Sequence, residues 1–200
     1  MRTSRGLVVG IAFAAALLGG CAGTVKNMQE AAPDAAVPVP QPGKAMVVFM
    51  RPSGMGFAIQ SSVFEAKEGA RPELAGILAA KTKIAYHVDP GERLFMVIGE
   101  SADFITADLV AGRTYYAYVS PRMGMWKARF ALEPKSKQDL ASDTFKTDLQ
   151  ECRWVVVTSE SFRWMEENMG SIHSKRAVSY KDWQEKPAAE RLRLLAEDGH

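Results

Sequence analysis

The chain has 200 residues, 47% hydrophobic and 24% charged, enough for one domain with a real buried core. Lysine and arginine number 25 against 23 aspartates and glutamates, and Arg2 and Arg5 account for the whole excess. The remainder is electrically balanced and has no basic block. It therefore gives no support to nucleic-acid binding, whose affinity rests on neutralising phosphates, nor to electrostatic adhesion to anionic lipid.

Arg2 and Arg5 precede an apolar run over residues 7–18, too short to span a bilayer. Leu18-Gly19-Gly20 then offers small residues to a peptidase, and Cys21 follows at once. This order predicts a secretory signal peptide over residues 1–20. Its ending, LGGC, resembles the lipobox of bacterial lipoproteins. The resemblance implies that the Cys21 thiol receives a diacylglyceryl group, that the signal is cut before it, and that the new amine is acylated. Several acyl chains, at about 0.8 kcal/mol per buried CH₂, make a durable anchor where one chain would not. Ala22 stands where enteric lipoproteins retained at the inner membrane carry Asp, which implies outer-membrane placement facing the periplasm. An ordinary secretory signal with a cysteine beside the cut is the alternative. With Cys21 lipidated, Cys152 is left alone, so no intrachain disulfide is expected even in the oxidising envelope.

Residues 22–44 carry Pro33, Pro38, Pro40 and Pro42 among Ala, Gln and Val. That composition predicts an extended tether, residues 21–44 with the lipidated cysteine, forming neither helix nor ladder and reaching up to ~70 Å when stretched. Residues 45–51, AMVVFMR, are apolar on both alternating faces and predict a strand buried on both sides. Residues 62–66 and 74–78 flank an EGARP turn and read as two more strands, although LAGILAAK also suits a short helix.

Thr82, Ile84, Tyr86 and Val88 alternate with Lys81, Lys83, Ala85 and His87, which predicts a half-buried strand with Lys83 and His87 on its wet face. DPGE turns the chain into residues 93–98, apolar on both faces. Residues 102–109 then place Ile105, Ala107 and Leu109 inward, and residues 114–119 are a β-forming run. Trp126, Ala128, Phe130 and Leu132 alternate with Met125, Lys127, Arg129 and Ala131 in a further one-sided strand. Seven or eight strands at this spacing predict a mainly β fold, an antiparallel β-sandwich over residues 45–158.

Residues 142–150 suit a helical turn or two and residues 152–157 a last strand. Phe162, Met165 and Met169 have helical spacing behind a cap at Ser159. Gly170 is expected to break that helix, with a polar helix over 172–183 after it. Pro187 is expected to start a final helix with Ala188, Leu192 and Leu195 on one face, ended by Asp198 and Gly199. Residues 159–200 thus read as C-terminal α-helices packed on the sandwich.

From residue 73 to 118 the pattern ELAGIL, TKIAYHVDPGE, LVAGRTYYAYV resembles the immunoglobulin-like domains of bacterial lipoproteins of unassigned activity, and more distantly the PEGA group of surface β-sandwich domains. The likeness covers about a quarter of the chain and marks turns. It implies a fold and an envelope setting, and carries over no catalytic residue.

Cys152 with His87 or His173 has the makings of a thiol nucleophile and base, but its neighbours Trp154 and Val156 point to inert packing. Met123 and Met125, with Met50, Met55 and His87 as further candidates, are the soft donors that select Cu(I); methionines filling gaps in a core are the competing reading. Tyr115, Tyr116, Tyr118 and Trp126 on adjacent strands suggest a stacking platform for sugars or peptides, against core or cross-strand pairs. No glycine-rich phosphate cradle, HExxH, GxSxG or carboxylate pair in an acid/base setting is present. The leading expectation is a non-catalytic, periplasm-facing lipoprotein, membrane-bound through Cys21, that binds an envelope protein partner and needs no cofactor. A soft-metal or small-ligand carrier is the alternative.

Overall fold

The structure is a computed structural model that describes residues 25–67, 69–122 and 129–200. The described strands are β1 (Met28–Glu30), β2 (Ala45–Arg51), β3 (Ser61–Glu65), β4 (Glu73–Leu78), β5 (Thr82–Val88), β6 (Gly91–Ile98), β7 (Ala102–Leu109), β8 (Thr114–Arg122), β9 (Arg129–Lys135), β10 (Arg153–Val157) and β11 (Arg193–Leu194). The helices are α1 (Lys137–Ala141), α2 (Asp143–Glu151) and α3 (Ser159–Glu185).

The strands form two sheets, ordered β1-β10-β5-β2-β8-β9 and β11-β7-β6-β3-β4. Ala45, Val47 and Phe49 of β2 meet Phe95 and Val97 of β6 in the core between them. The opposite faces of the same strands are also covered. Met46, Val48 and Met50 pack against Phe145 of α2, while Met96 and Ile98 pack with Met165, Ile172 and Trp183 of α3. A helix layer on each side of the sandwich is the reason β2 and β6 are apolar at consecutive positions. The mainly β sandwich with appended C-terminal helix agrees with the sequence pattern, and 74–78 is strand, not helix.

The pairing is mixed, which corrects the antiparallel expectation. β2 runs parallel to β8, β10 to β5 and β11 to β7. Strands β3, β4, β6 and β7 intervene between β2 and β8 and belong to the other sheet, except that β5 returns antiparallel to β2. Chain that leaves one sheet for the other and comes back re-enters in either direction, whereas a tight hairpin fixes antiparallel pairing.

Four local expectations are also corrected. Residues 22–44 include a ladder, because β1 pairs antiparallel with β10. Asn27 takes a left-handed φ of 57°, the Ser161 hydroxyl donates to its carbonyl, and the Met28 sulfur lies 3.4 Å from the Ile77 amide. Gly170 does not end the helix: α3 runs unbroken for 27 residues. A mid-helix glycine costs about 1 kcal/mol, less than burying any one of Met165, Ile172 and Trp183 on either side of it gains at about 1.5–3 kcal/mol each. The cap is Thr158, whose amide donates to the Ser161 hydroxyl at 2.9 Å. After Pro187 there is a 3₁₀ turn, the short β11 and a second 3₁₀ turn in place of a helix. Leu194 is buried there while Leu192 and Leu195 stay exposed: the strand is only two residues long, so it turns Leu194 inward and Arg193 outward and orders neither flanking leucine against the core.

Candidate binding cleft

β10 lies between β1 and β5, and the chain leaving β1 crosses over them. The Ala31 amide donates to the Trp154 carbonyl at 3.0 Å, a turn closes from Ala32 to Ala35 at 2.9 Å, and the Val39 carbonyl lies 2.8 Å from His87 Nε2. Between this strap and the outer face of β5 and β10 is a cleft of about 620 Å³, within the usual range for small-ligand pockets. Ala32, Pro33 and Ala36 line the strap side, and their short side chains leave the space open. Lys83, His87, Cys152, Trp154 and Val156 line the floor.

Lys83 is the residue that sequence alternation misplaces. It is buried, not on a wet face. Its ammonium donates to the Leu149 carbonyl at the end of α2 and lies 4.8 Å from the centre of the Trp154 ring. Loss of water pulls its pKa below the ordinary lysine value. The carbonyl and the indole face replace part of the lost hydration, and one ammonium carries three donors. Alternation told which residues share a face of β5 but could not tell that α2 covers that face.

Cys152 is buried in the cluster of Met46, Val48 and Tyr116. Burial pushes its thiol up to about 12, against a smaller opposing pull from Lys83. A thiol protonated at neutral pH is a poor nucleophile. His87 lines the same cleft but is engaged with Val39. His173 is exposed and lines a different groove, beside Arg71 and Tyr180.

The tyrosines turn inward to their own chain. Tyr116 meets Phe145 edge-on at 5.0 Å and stacks on His200 at 5.5 Å. Tyr118 stacks on Phe145 at 6.2 Å, receives Lys135 Nζ at 4.0 Å from its ring centre and donates to Asp148 at 3.0 Å. Phe145 and Lys135 thus occupy the surfaces that a stacking platform would offer to a ligand. Tyr115 is wholly buried. Cys21, Met123, Met125 and Trp126 lie outside the described residues. Of their suggested companions, Met50 is buried under α2 and Met55 is exposed in the loop after β2.

A polar constellation invisible in the sequence closes one end of the sandwich. Glu65 and Glu73 are cross-strand partners on β3 and β4, and the Tyr86 hydroxyl lies 2.8 and 3.2 Å from their carboxylates. Lys67 pairs with Glu73 at 2.6 Å, and Arg93 is 3.9 Å from Glu65. The Lys67 hydrogen bond holds Glu73 below the usual carboxylate range. Both carboxylates thus have cationic partners, the arrangement of an ion-pair network that holds strands together. No protein-family model matches this chain, and no curated protein sequence matches it either.

Proposed function

We propose that this is a lipid-anchored envelope protein, held in the outer membrane by acylated Cys21 and facing the periplasm, that acts without catalysis by binding an envelope protein. The observation that supports this reading most is that the segment leading out of the LGGC motif is both the strand β1 and the strap of the cleft. An anchor at Cys21 would thus precede the first residue of β1, Met28, by seven positions. The strap's Ala and Pro side chains and Trp154 favour an apolar segment of the partner, and the Lys83 ammonium offers a donor to a carbonyl or carboxylate on it.

Two measurements test the reading. Palmitate labelling of the wild type and its loss in Cys21→Ser checks the anchor; label retained in Cys21→Ser removes it. A photo-crosslinking side chain at Val156, which is exposed beside the cleft, should capture a discrete envelope protein in intact cells. Ala36→Trp, which fills the cleft from the strap, should abolish that adduct. An adduct unchanged by Ala36→Trp, or none at all, removes the cleft from the proposal.

A further inference from the structure

Arg51, the last residue of β2, is fully buried, and it grips the loop that follows it. Nη1 donates to the Ile59 carbonyl at 2.5 Å, and Nη2 to those of Met55 at 3.0 Å and Gly56 at 2.8 Å. The guanidinium also lies 4.6 Å from the centre of the Phe130 ring. With its carbonyls turned in, the loop sends its side chains out: Met55 and Phe57 are each 56% exposed and Ile59 is 44% exposed. Three large apolar side chains thus stand exposed within the five residues 55–59, and make this loop the apolar patch to be explained.

The position of the chain's N-terminal segment says what covers this patch. Gln60 Nε2 donates to the Lys26 carbonyl at 3.2 Å, so the end of the loop lies beside a residue only five positions after Cys21. At about 3.6 Å per residue, five residues reach at most ~18 Å. Because β1 is stitched into the sandwich from Met28 onward, residues 28–44 add nothing to that reach. An acylated Cys21 therefore brings the 52–60 loop to the bilayer.

We propose that residues 52–60 seat the domain on the lipid surface, with Met55, Phe57 and Ile59 inserted at the headgroup–acyl boundary beside the acylated cysteine. This inference rests on the proposed acylation of Cys21. A backbone entering that boundary gives up part of its water, and Arg51 replaces it at the Met55, Gly56 and Ile59 carbonyls. Further pairing comes from the Met55 amide, which donates to the Ser53 hydroxyl at 3.1 Å, and the Ile59 amide, which donates to the Gly56 carbonyl at 2.9 Å. Exposed Lys26 sets a cation at the same edge, at headgroup level.

The test uses full-length acylated protein in vesicles of phosphatidylethanolamine and phosphatidylglycerol, with a nitroxide at Ala58→Cys in a Cys152→Ala background. Val178→Cys is the reference, exposed on α3 and about 25 Å along that helix from Ser161, the residue that touches Asn27. The ratio of oxygen to aqueous nickel-chelate collisions should be several-fold higher at 58 than at 178. It should fall to the value at 178 when Met55, Phe57 and Ile59 are all replaced by Ser. Equal ratios in protein whose mass shows acylated Cys21 overturn the docking while leaving the anchor. A label at 58 shielded from both reagents shows a protein cover and also overturns it, as does a ratio unmoved by the Ser replacements. Protein whose mass shows unmodified Cys21 removes the anchor, and the docking with it.

Discussion

Gly199 stands directly against the ring of Tyr115: a Cβ added at Gly199 would lie 2.6 Å from the ring's Cζ and 2.8 Å from its hydroxyl. The ring cannot readily give way. Tyr115 is fully buried, and its hydroxyl accepts from the Val110 amide at 3.0 Å and donates to the Ala196 carbonyl at 3.2 Å. His200 and Thr114 exchange backbone hydrogen bonds of 3.0 and 3.2 Å alongside. The C-terminus is thus fastened to β8.

Two glycines should consequently respond to alanine with opposite signs. Gly199→Ala overpacks the Tyr115 site and should lower stability by about 1–3 kcal/mol. A Cβ at Gly170 would meet nothing within 4 Å, and Gly170→Ala should stabilise α3 by up to about 1 kcal/mol. Denaturant midpoints of the two variants check both signs at once. Equal midpoints would contradict the packing at Gly199.

Cys152 should be chemically silent in the native protein. Its reaction with a thiol reagent at pH 8 should follow the rate of unfolding and become fast only in denaturant. The buried thiol also links stability to alkaline pH. The unfolded thiol loses its proton near pH 9, while the folded one holds it up to about 12. The contribution of this group is therefore present in full below pH 9 and is lost as pH rises toward 12, by about 1.4 kcal/mol per pH unit. Comparing the slope of stability against pH for wild type and Cys152→Ala isolates it; identical slopes above pH 9 would contradict the burial.

Trp183 ties the end of α3 to the sandwich. It is buried, stacks on Tyr180 at 5.7 Å and lies 5.8 Å from Phe104 of β7. Trp183→Ala should cost about 3–5 kcal/mol, a large share of the roughly 5–15 kcal/mol net stability of a domain. Truncation after Val157 removes α3 and β11 together, and should leave a domain that aggregates or melts far below the parent. Cooperative melting of the truncated chain at the parental temperature would make α3 a separate module.

Strand positions were legible because the period-2 pattern and the Gly/Pro punctuation are local: residues 45–51 and 102–109 match β2 and β7 residue for residue, and the alternating run 81–88 matches β5 except at Lys81, which sits in the preceding turn with a left-handed φ of 59°. The uninterrupted apolar runs of β2 and the end of β6 likewise announce burial on both faces. What covers those faces is a tertiary matter. Lys83 read as a solvent residue because alternation knows nothing of α2, which supplies the Leu149 carbonyl that holds its ammonium. Trp154 is visible as an aromatic, but its place beneath that ammonium depends on the parallel pairing of β10 with β5.

The ends of the domain show where local preference yields. In the sequence Gly170 reads as the end of one helix and Pro187 as the start of another. α3 passes through the first because Met165 and Ile172 on either side of it are buried against the sheet, and stops before the second because proline removes a donor and clashes with the preceding turn. Proline-rich composition correctly marks residues 31–44 as lacking helix and strand, yet Met28–Glu30 forms a ladder because β10 presents an open edge to it. The sequence by itself determined the charge balance, the LGGC motif, most of the strands and the inward face of α3 at Met165 and Met169, whereas Phe162, placed on that face by its spacing, stands 49% exposed. The tertiary structure alone decided which strands run parallel, how the strap and the floor make a cleft, and that Lys26 lies beside Gln60 at the end of the loop after β2. Periodicity is a property of neighbours in the chain, whereas pairing, coverage and enclosure depend on residues brought together from distant positions.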